Sequence, residues 1–233
     1  MPPKNEIIPT RVLPGFMELL PRDQIAFNKM LDTIRGVYEQ YGFLPIDTPV
    51  IERAEVIYAK IGGENAKQIY RFNKGDNDLA LRFDLTVPLA RYVAEHSNDL
   101  VFPFKRYHIG KVYRGENPQK GRFREFYQCD IDIIGNETLR LINDAEVTMV
   151  IYDVFKKLDF GRFVIRINNR KLITGLLNSV GIGDLSVEVM RLIDKIEKIG
   201  EEVVREDLMK LGVSEEATHR IFDFLSIKGD KDE

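Results

Sequence analysis

Cysteine is almost missing: Cys129 stands alone among 233 residues. One thiol cannot close an internal disulfide, and it leaves no cysteine-based zinc site. Long apolar runs are missing too, since no stretch approaches the ~18 residues that a membrane-crossing helix needs. The opening residues, MPPKNEIIPTRVLPG, hold no apolar block ahead of a small-residue cleavage site and do not read as a secretory leader. These absences predict a cytoplasmic protein with no membrane partner. Positive charge is not in excess either. The formal net charge of −3 argues against a chain whose whole surface grips nucleic acid.

What is present suits a globular chain, 44% hydrophobic and 30% charged. Its length accommodates one large domain, or a domain with a small appendage. The charge is unevenly spread. Between residues 101 and 125, Lys105, Arg106, Lys111, Arg114, Lys120, Arg122 and Arg124 stand against only Glu116 and Glu125. Such a cluster suits the phosphates of a nucleotide or of RNA, and it equally suits a solvated basic loop.

Phe27, Met30, Leu31, Ile34, Val37, Tyr38 and Tyr41 recur at helical spacing over 22–41, and Gly42 ends that helix. Residues 43–52, punctuated by Pro45 and Pro49, read as an extended edge or interface segment. Gly62-Gly63 is a flexible break, and 70–72 with 79–85 bracket a hairpin turn. Strict alternation predicts half-polar strands over 79–86 and 125–133, with a third over 107–114 whose His108, Gly110, Val112 and Arg114 share a face. Helices follow over 86–96, opened by Thr86-Val87-Pro88, and over 136–157. A short strand at 163–167 precedes amphipathic helices at 170–179, 185–198, 201–211 and 214–226. The predicted class is α+β: a mainly antiparallel sheet flanked by helices over 1–169, then a helical segment over 170–233.

A polar sheet face often does no more than meet water. This one carries Asp84, Thr86, Gln128, Asp130, Asp132, Phe126 and Arg114, a set suited to a ligand with both positive and negative groups. The loop from Arg114 to Arg122 is long for a hairpin, and loops of that length are functional or disordered. Arginines frame it, and the planar guanidinium fork matches phosphate oxygens. Phe126 is placed to stack on a purine. Taken singly, each of these residues reads better as a surface charge or a core aromatic; together, at this spacing, they read as a ligand site.

Residues 113–128, YRGENPQKGRFREFYQ, resemble the second signature motif of class II aminoacyl-tRNA synthetases in its histidine-specific form. Leu81-Arg82-Phe83-Asp84-Leu85-Thr86-Val87-Pro88 resembles the strand and helix start that precede that motif, in the form associated with archaeal and eukaryotic members. Residues 42–52 resemble the first motif, with Pro49 at its characteristic position. The family so indicated is that of the histidine–tRNA ligases. The resemblance implies ATP-dependent attachment of histidine to its tRNA through a histidyl-adenylate. It implies that Arg114 is the catalytic residue, binding the α-phosphate and the charge that grows there. It assigns Glu116 to the adenine amino group, Arg122 to the outer phosphates and Phe126 to stacking on adenine. Asp84, Thr86, Gln128 and Asp132 would hold histidine, mainly by its ammonium group.

The same resemblance implies ATP as substrate, with Mg2+ bridging its phosphates and no metal cage built by the protein. The implied partners are histidine, ATP and tRNA, with a second copy of the chain paired through the first motif. A third motif, a histidine-specific segment and an anticodon-binding domain are not found in these residues. The polar tail KGDKDE therefore reads as a cut inside a helical insertion, and the chain alone is expected to be inactive. Two further classes stay open: a histidine-sensing regulatory subunit of ATP phosphoribosyltransferase, and a pseudo-synthetase that binds tRNA. The intact Arg114, Glu116 and Arg122 argue against both.

Overall fold

A computed structural model of the chain describes residues 10–227 and 229. The opening stretch to residue 9, and the tail read as a cut apart from Gly229, lie outside the described residues. The chain divides into two compact units, Met1–Phe163 and Val164–Glu233.

The first unit opens with α1 (Pro21–Gln40), whose proline occupies the first turn, where a missing N–H costs nothing. Its buried stripe is Leu31, Ile34, Val37 and Tyr38. Gly42, at φ +76°, then turns the chain out of the helix. The stripe meets a three-stranded sheet in the order β1 (Leu44–Pro45), β5 (Phe104–Tyr113), β6 (Glu125–Ile134). β1 runs parallel to β5, and β5 pairs antiparallel with β6. Tyr107, Ile109, Cys129, Ile131 and Ile133 lie on one face and pack against α1 and α4 (Ile142–Lys157), with Val150 and Val154 closing the core. Each such side chain, once fully buried, contributes roughly 2 kcal/mol. The other face is polar, and its cross-strand pairs are Arg106–Asp132, His108–Asp130, Gly110–Gln128 and Val112–Phe126.

A second sheet is ordered β2 (Ile51–Arg53), β4 (Asn77–Leu81), β3 (Arg71–Lys74), all antiparallel. It packs with α2 (Ala54–Tyr58) around Ala54, Ile57, Ile69, Ala80 and Phe83. The strand expected over 79–86 therefore ends at Leu81 and belongs to a different sheet from β5 and β6. The reason is Arg82. Its backbone leaves the ladder to bond Val50 and Tyr113, and its buried guanidinium crosses to the first sheet. There Nε donates to the Lys111 carbonyl at 2.7 Å and Nη1 to the Thr48 carbonyl at 2.6 Å. Gly110 makes room for it: a Cβ there would stand 2.5 Å from Arg82 Nη2 and 2.9 Å from His108 Nε2. The crossing delivers Phe83, Asp84 and the start of α3 (Thr86–Glu95) beside the polar face.

The second unit packs α5 (Arg170–Ser179), α6 (Ser186–Ile193), α7 (Ile196–Ile199), α8 (Glu201–Lys210) and α9 (Glu215–Ser226) around Leu177, Val189, Val204, Leu208 and Ile221. Ser214 caps α9, its Oγ accepting from the Ala217 N–H at 3.2 Å. The helix expected over 185–198 breaks at Asp194 and Lys195, and the one expected from 136 begins at Ile142. Residues 163–167 form no strand. Their alternation finds no ladder partner, and Phe163 packs instead on the rings of Tyr152 and Phe155. Among the described residues no helix is long and apolar enough to cross a membrane.

Candidate functional site

The polar face of β5 and β6 carries the candidate site, and its two ends differ. At the end near Phe126, β5 gives way to the hairpin loop. Arg114 lies there between two rings, its guanidinium carbon 4.6 Å from the centre of Phe83 and 5.1 Å from that of Phe126. Its Nε donates to the Phe83 carbonyl at 3.2 Å. Arg114, Glu116, Gly121, Arg122, Phe123 and Phe126 line a cavity of about 360 Å³. Glu116 and Arg122 face each other across it at 3.4 Å. The base of the loop is tied on both sides. Arg114 N–H donates to the Arg124 carbonyl at 2.9 Å, Gly115 N–H to Gln68 at 2.7 Å, and Arg124 N–H to Gly15 at 2.7 Å. Arg124 Nε also donates to the Glu116 carbonyl at 2.9 Å. Four residues expected to meet a nucleotide thus share one concavity.

The other end is carboxylate-rich. Thr86, Asp130 and Asp132 rim a groove of about 540 Å³ along the outer edge of β6. The rest of that groove is apolar, lined by Ile34, Val147, Ile151 and Val154 among others. That wall is the flank of the hydrophobic core, so the polar rim and not the groove's volume is the chemically informative part. Asp84 and Thr86 also line a neighbouring cavity of about 700 Å³. Asp84 has a local task as well, since its Oδ1 accepts from the Val87 N–H at 3.0 Å at the start of α3. Gln128 lies between the two ends on β6, and its Oε1 is buried without a hydrogen-bond partner. From Phe126 to Asp132 the strand rises roughly 20 Å, the length of a nucleotide with a small molecule beside it.

Beneath this surface lies charge that the sequence reading passed over. Arg106 is fully buried and ion-paired with Asp132. His108, also buried, puts Nε2 2.8 Å from Asp47 Oδ1. Burial, followed by the charge of Arg82, pushes the His108 imidazole below its ordinary value. Burial pushes the carboxyls of Asp130 and Asp132 upward, and Arg106 opposes the rise in both. Arg106, counted above only in the basic cluster, is left off this face because the expected strand starts at Tyr107. Carrying the alternation one pair further back would have placed Arg106 on the face of His108 and opposite Asp132. Arg82, at a polar position of the alternation over 79–86, is a buried tie between two sheets. Among the described residues no three His, Cys, Asp or Glu side chains are grouped to hold a metal ion.

An antiparallel pair ending in an arginine-framed hairpin, backed by a long helix and flanked by a second small sheet, is the class II aminoacyl-tRNA synthetase catalytic fold. The crystal structure of histidyl-tRNA synthetase from Nostoc sp. PCC 7120 superposes with a TM-score of 0.86 at 45% identity, covering 97% of this chain and 51% of that one. A family profile described as Histidyl-tRNA synthetase matches residues 15–232. The histidine–tRNA ligase of Clostridium tetani is 61% identical over 230 residues, covering 99% of this chain and 52% of that protein. The chain belongs to the histidyl-tRNA synthetase family. It spans about half the length of the curated relatives it matches. A Bacillus halodurans structure described as an ATP phosphoribosyltransferase regulatory subunit/histidyl-tRNA synthetase gives a TM-score of 0.81 at 22% identity. It covers 97% of this chain and 58% of that one, and it speaks to the fold alone.

Proposed function

We propose that this chain supplies the ATP-facing and histidine-facing half of a cytoplasmic, homodimeric histidine–tRNA ligase. The observation that carries the reading is the position of Arg114. Its guanidinium stands between Phe83 and Phe126, on the strand face that also bears Gln128, Asp130 and Asp132, and it opens into the cavity shared with Glu116 and Arg122.

In the activating half-reaction a histidine carboxylate oxygen attacks the α-phosphorus of ATP. A P–O bond forms, the bond to the bridging oxygen breaks, and pyrophosphate leaves. Two anions must meet, so the barrier is lowered by placement and by fixed positive charge where negative charge grows. Arg114, clamped by two rings and a carbonyl, gives that charge a fixed direction toward the α-phosphate. Glu116 meets the adenine amino group, Arg122 the outer phosphates, and Phe126 the adenine face. Asp84, Thr86, Gln128 and Asp132 take the histidine, with Asp132 accepting from its ammonium group. Magnesium would come with ATP as part of the substrate and would offset phosphate charge, with no residue of this chain assigned to hold it. Dimerisation would use the first motif, α1 with the Pro49 segment, and tRNA would be held in part by sequence that completes the ligase.

Histidine-dependent exchange of pyrophosphate into ATP, measured on the protein at the full length of its relatives, tests the reading. The expected result is robust exchange that requires histidine. Exchange that ignores histidine, or none at all, overturns it. The 233-residue chain alone should show little or no exchange. A histidine-sensing subunit of ATP phosphoribosyltransferase would bind histidine without any exchange, and the triphosphate-facing set Arg114, Glu116 and Arg122 would have no task in it.

A further inference from the structure

Arg106 has no place in the roles assigned above, yet it is a fully buried guanidinium on the same sheet face. Its cross-strand partner is Asp132, and its Nη2 pairs with Asp132 Oδ2. Nε, Nη1 and Nη2 all lack a hydrogen-bond partner, so the contact with Asp132 is an ion pair. A cation sunk into a sheet with its donors unmet is destabilising unless its charge is needed there. The need is visible on β6. Asp130 and Asp132 project from that strand two residues apart on one face, both half-buried, where solvent screens their mutual repulsion only in part.

We propose that Arg106 is the positioning residue of the histidine site, fixing Asp132 through Oδ2 so that its Oδ1 meets the substrate ammonium as a charged carboxylate. The inference rests on the reading of Asp132 as a histidine ligand. Arg106 does not touch the substrate. It acts from below, as a permanent countercharge that keeps the carboxylate pair ionised before the ligand cation arrives.

The groups facing that pair are few. From β5 come Arg106 and, opposite Asp130, His108, whose imidazole is held toward its neutral form by burial and Arg82. Asp84, ahead of α3, adds negative charge, and Arg114 at the end of β5 adds positive charge. Across the sheet, Tyr38 of α1 donates its hydroxyl to the Cys129 carbonyl at 2.9 Å, and Lys105 is paired with Glu146 of α4. The charge of Arg106 opposes the burial-driven rise of both Asp130 and Asp132. The sign follows. Without Arg106 both carboxyls would need a higher pH to ionise, so histidine binding would be lost from the acid side first.

The test compares Arg106→Met with the parent in the protein at the length of its relatives. The KM values for histidine and for ATP are read from pyrophosphate exchange between about pH 5.5 and about pH 8.5, so that an acid-side loss is told apart from a pH-independent one. Arg106→Met should raise the histidine KM about tenfold at the acid end of that range and much less at the alkaline end, moving the acid limb to higher pH. The ATP KM should stay within about twofold, and Arg106→Lys should recover most of the loss because it keeps the charge. If Arg106→Met does not fold, Arg106→Lys and Arg106→Gln decide between charge and polarity: Gln should show the shifted acid limb and Lys should not. Equal behaviour of Lys and Gln, a loss independent of pH, or histidine and ATP KM values rising together would overturn the assignment. A parent protein whose exchange ignores histidine would sink the functional reading. A histidine-dependent parent with an unmoved Arg106→Met variant would sink this inference alone.

Discussion

The two units bury different things. In the helical unit the core is apolar, built on Ile173, Leu177, Val189, Val204, Leu208, Ile221 and Phe222, and Thr218 is the one buried polar residue among those described. In the sheet unit, Thr48, Glu52, Arg82, Arg106 and His108 are all buried. An apolar core of helices asks only for shape. Burying arginine and histidine costs several kcal/mol per uncompensated charge, and a fold bears that where charge must be held in place. The contrast locates chemistry in the first unit without reference to any cavity.

The comparison can be broken in four ways. Arg82→Met has the largest expected effect. It leaves the Lys111 and Thr48 carbonyls unmatched, and a loss of about 4 kcal/mol is expected in chemical unfolding of the sheet unit. Leu208→Ala in the helical unit should cost about 3 kcal/mol from lost burial and a residual cavity. Two separate unfolding transitions, each moved by one variant, would support the division into units. A single transition moved by both would refute it. Arg114→Ala in the full-length protein should slow pyrophosphate exchange at least ~100-fold while weakening histidine binding little. An equal effect on both would remove Arg114 from its role at the phosphate. Ser214→Ala, which loses the α9 cap, should lower the stability of the helical unit by about 1 kcal/mol in thermal unfolding and leave exchange kinetics unchanged.

The sequence was most legible where one physical rule acted alone. β5 and β6 declare themselves because a sheet with one wet and one dry face imposes period two, and the stripe of α1 shows as clearly for the same reason. Rules in competition were harder to read. Leu79 to Thr86 alternates throughout, but a buried ion-and-carbonyl network around Arg82 outweighs ladder bonding after Leu81. The alternation at 163–167 is as regular, yet a strand exists only with a neighbour, and neighbours are not written locally. α2, over 54–58, went unanticipated because five residues give too short a window for periodicity. For the candidate site, motif spacing singled out Arg114, Glu116, Arg122 and Phe126, which share one cavity because they cluster within one hairpin. Arg106 and Arg82 stayed hidden because their partners, Asp132 and Thr48, are distant in sequence and an arginine on a strand ordinarily points to water.

Gly110 and Arg82 occupy one shared volume. Any side chain grown at 110 would have to displace the guanidinium of 82, and the two carbonyls it satisfies would then lie in a dry seam without donors. A larger residue at 110 is therefore better matched by a smaller one at 82, and the smallest residue in the chain secures the bridge between the two sheets.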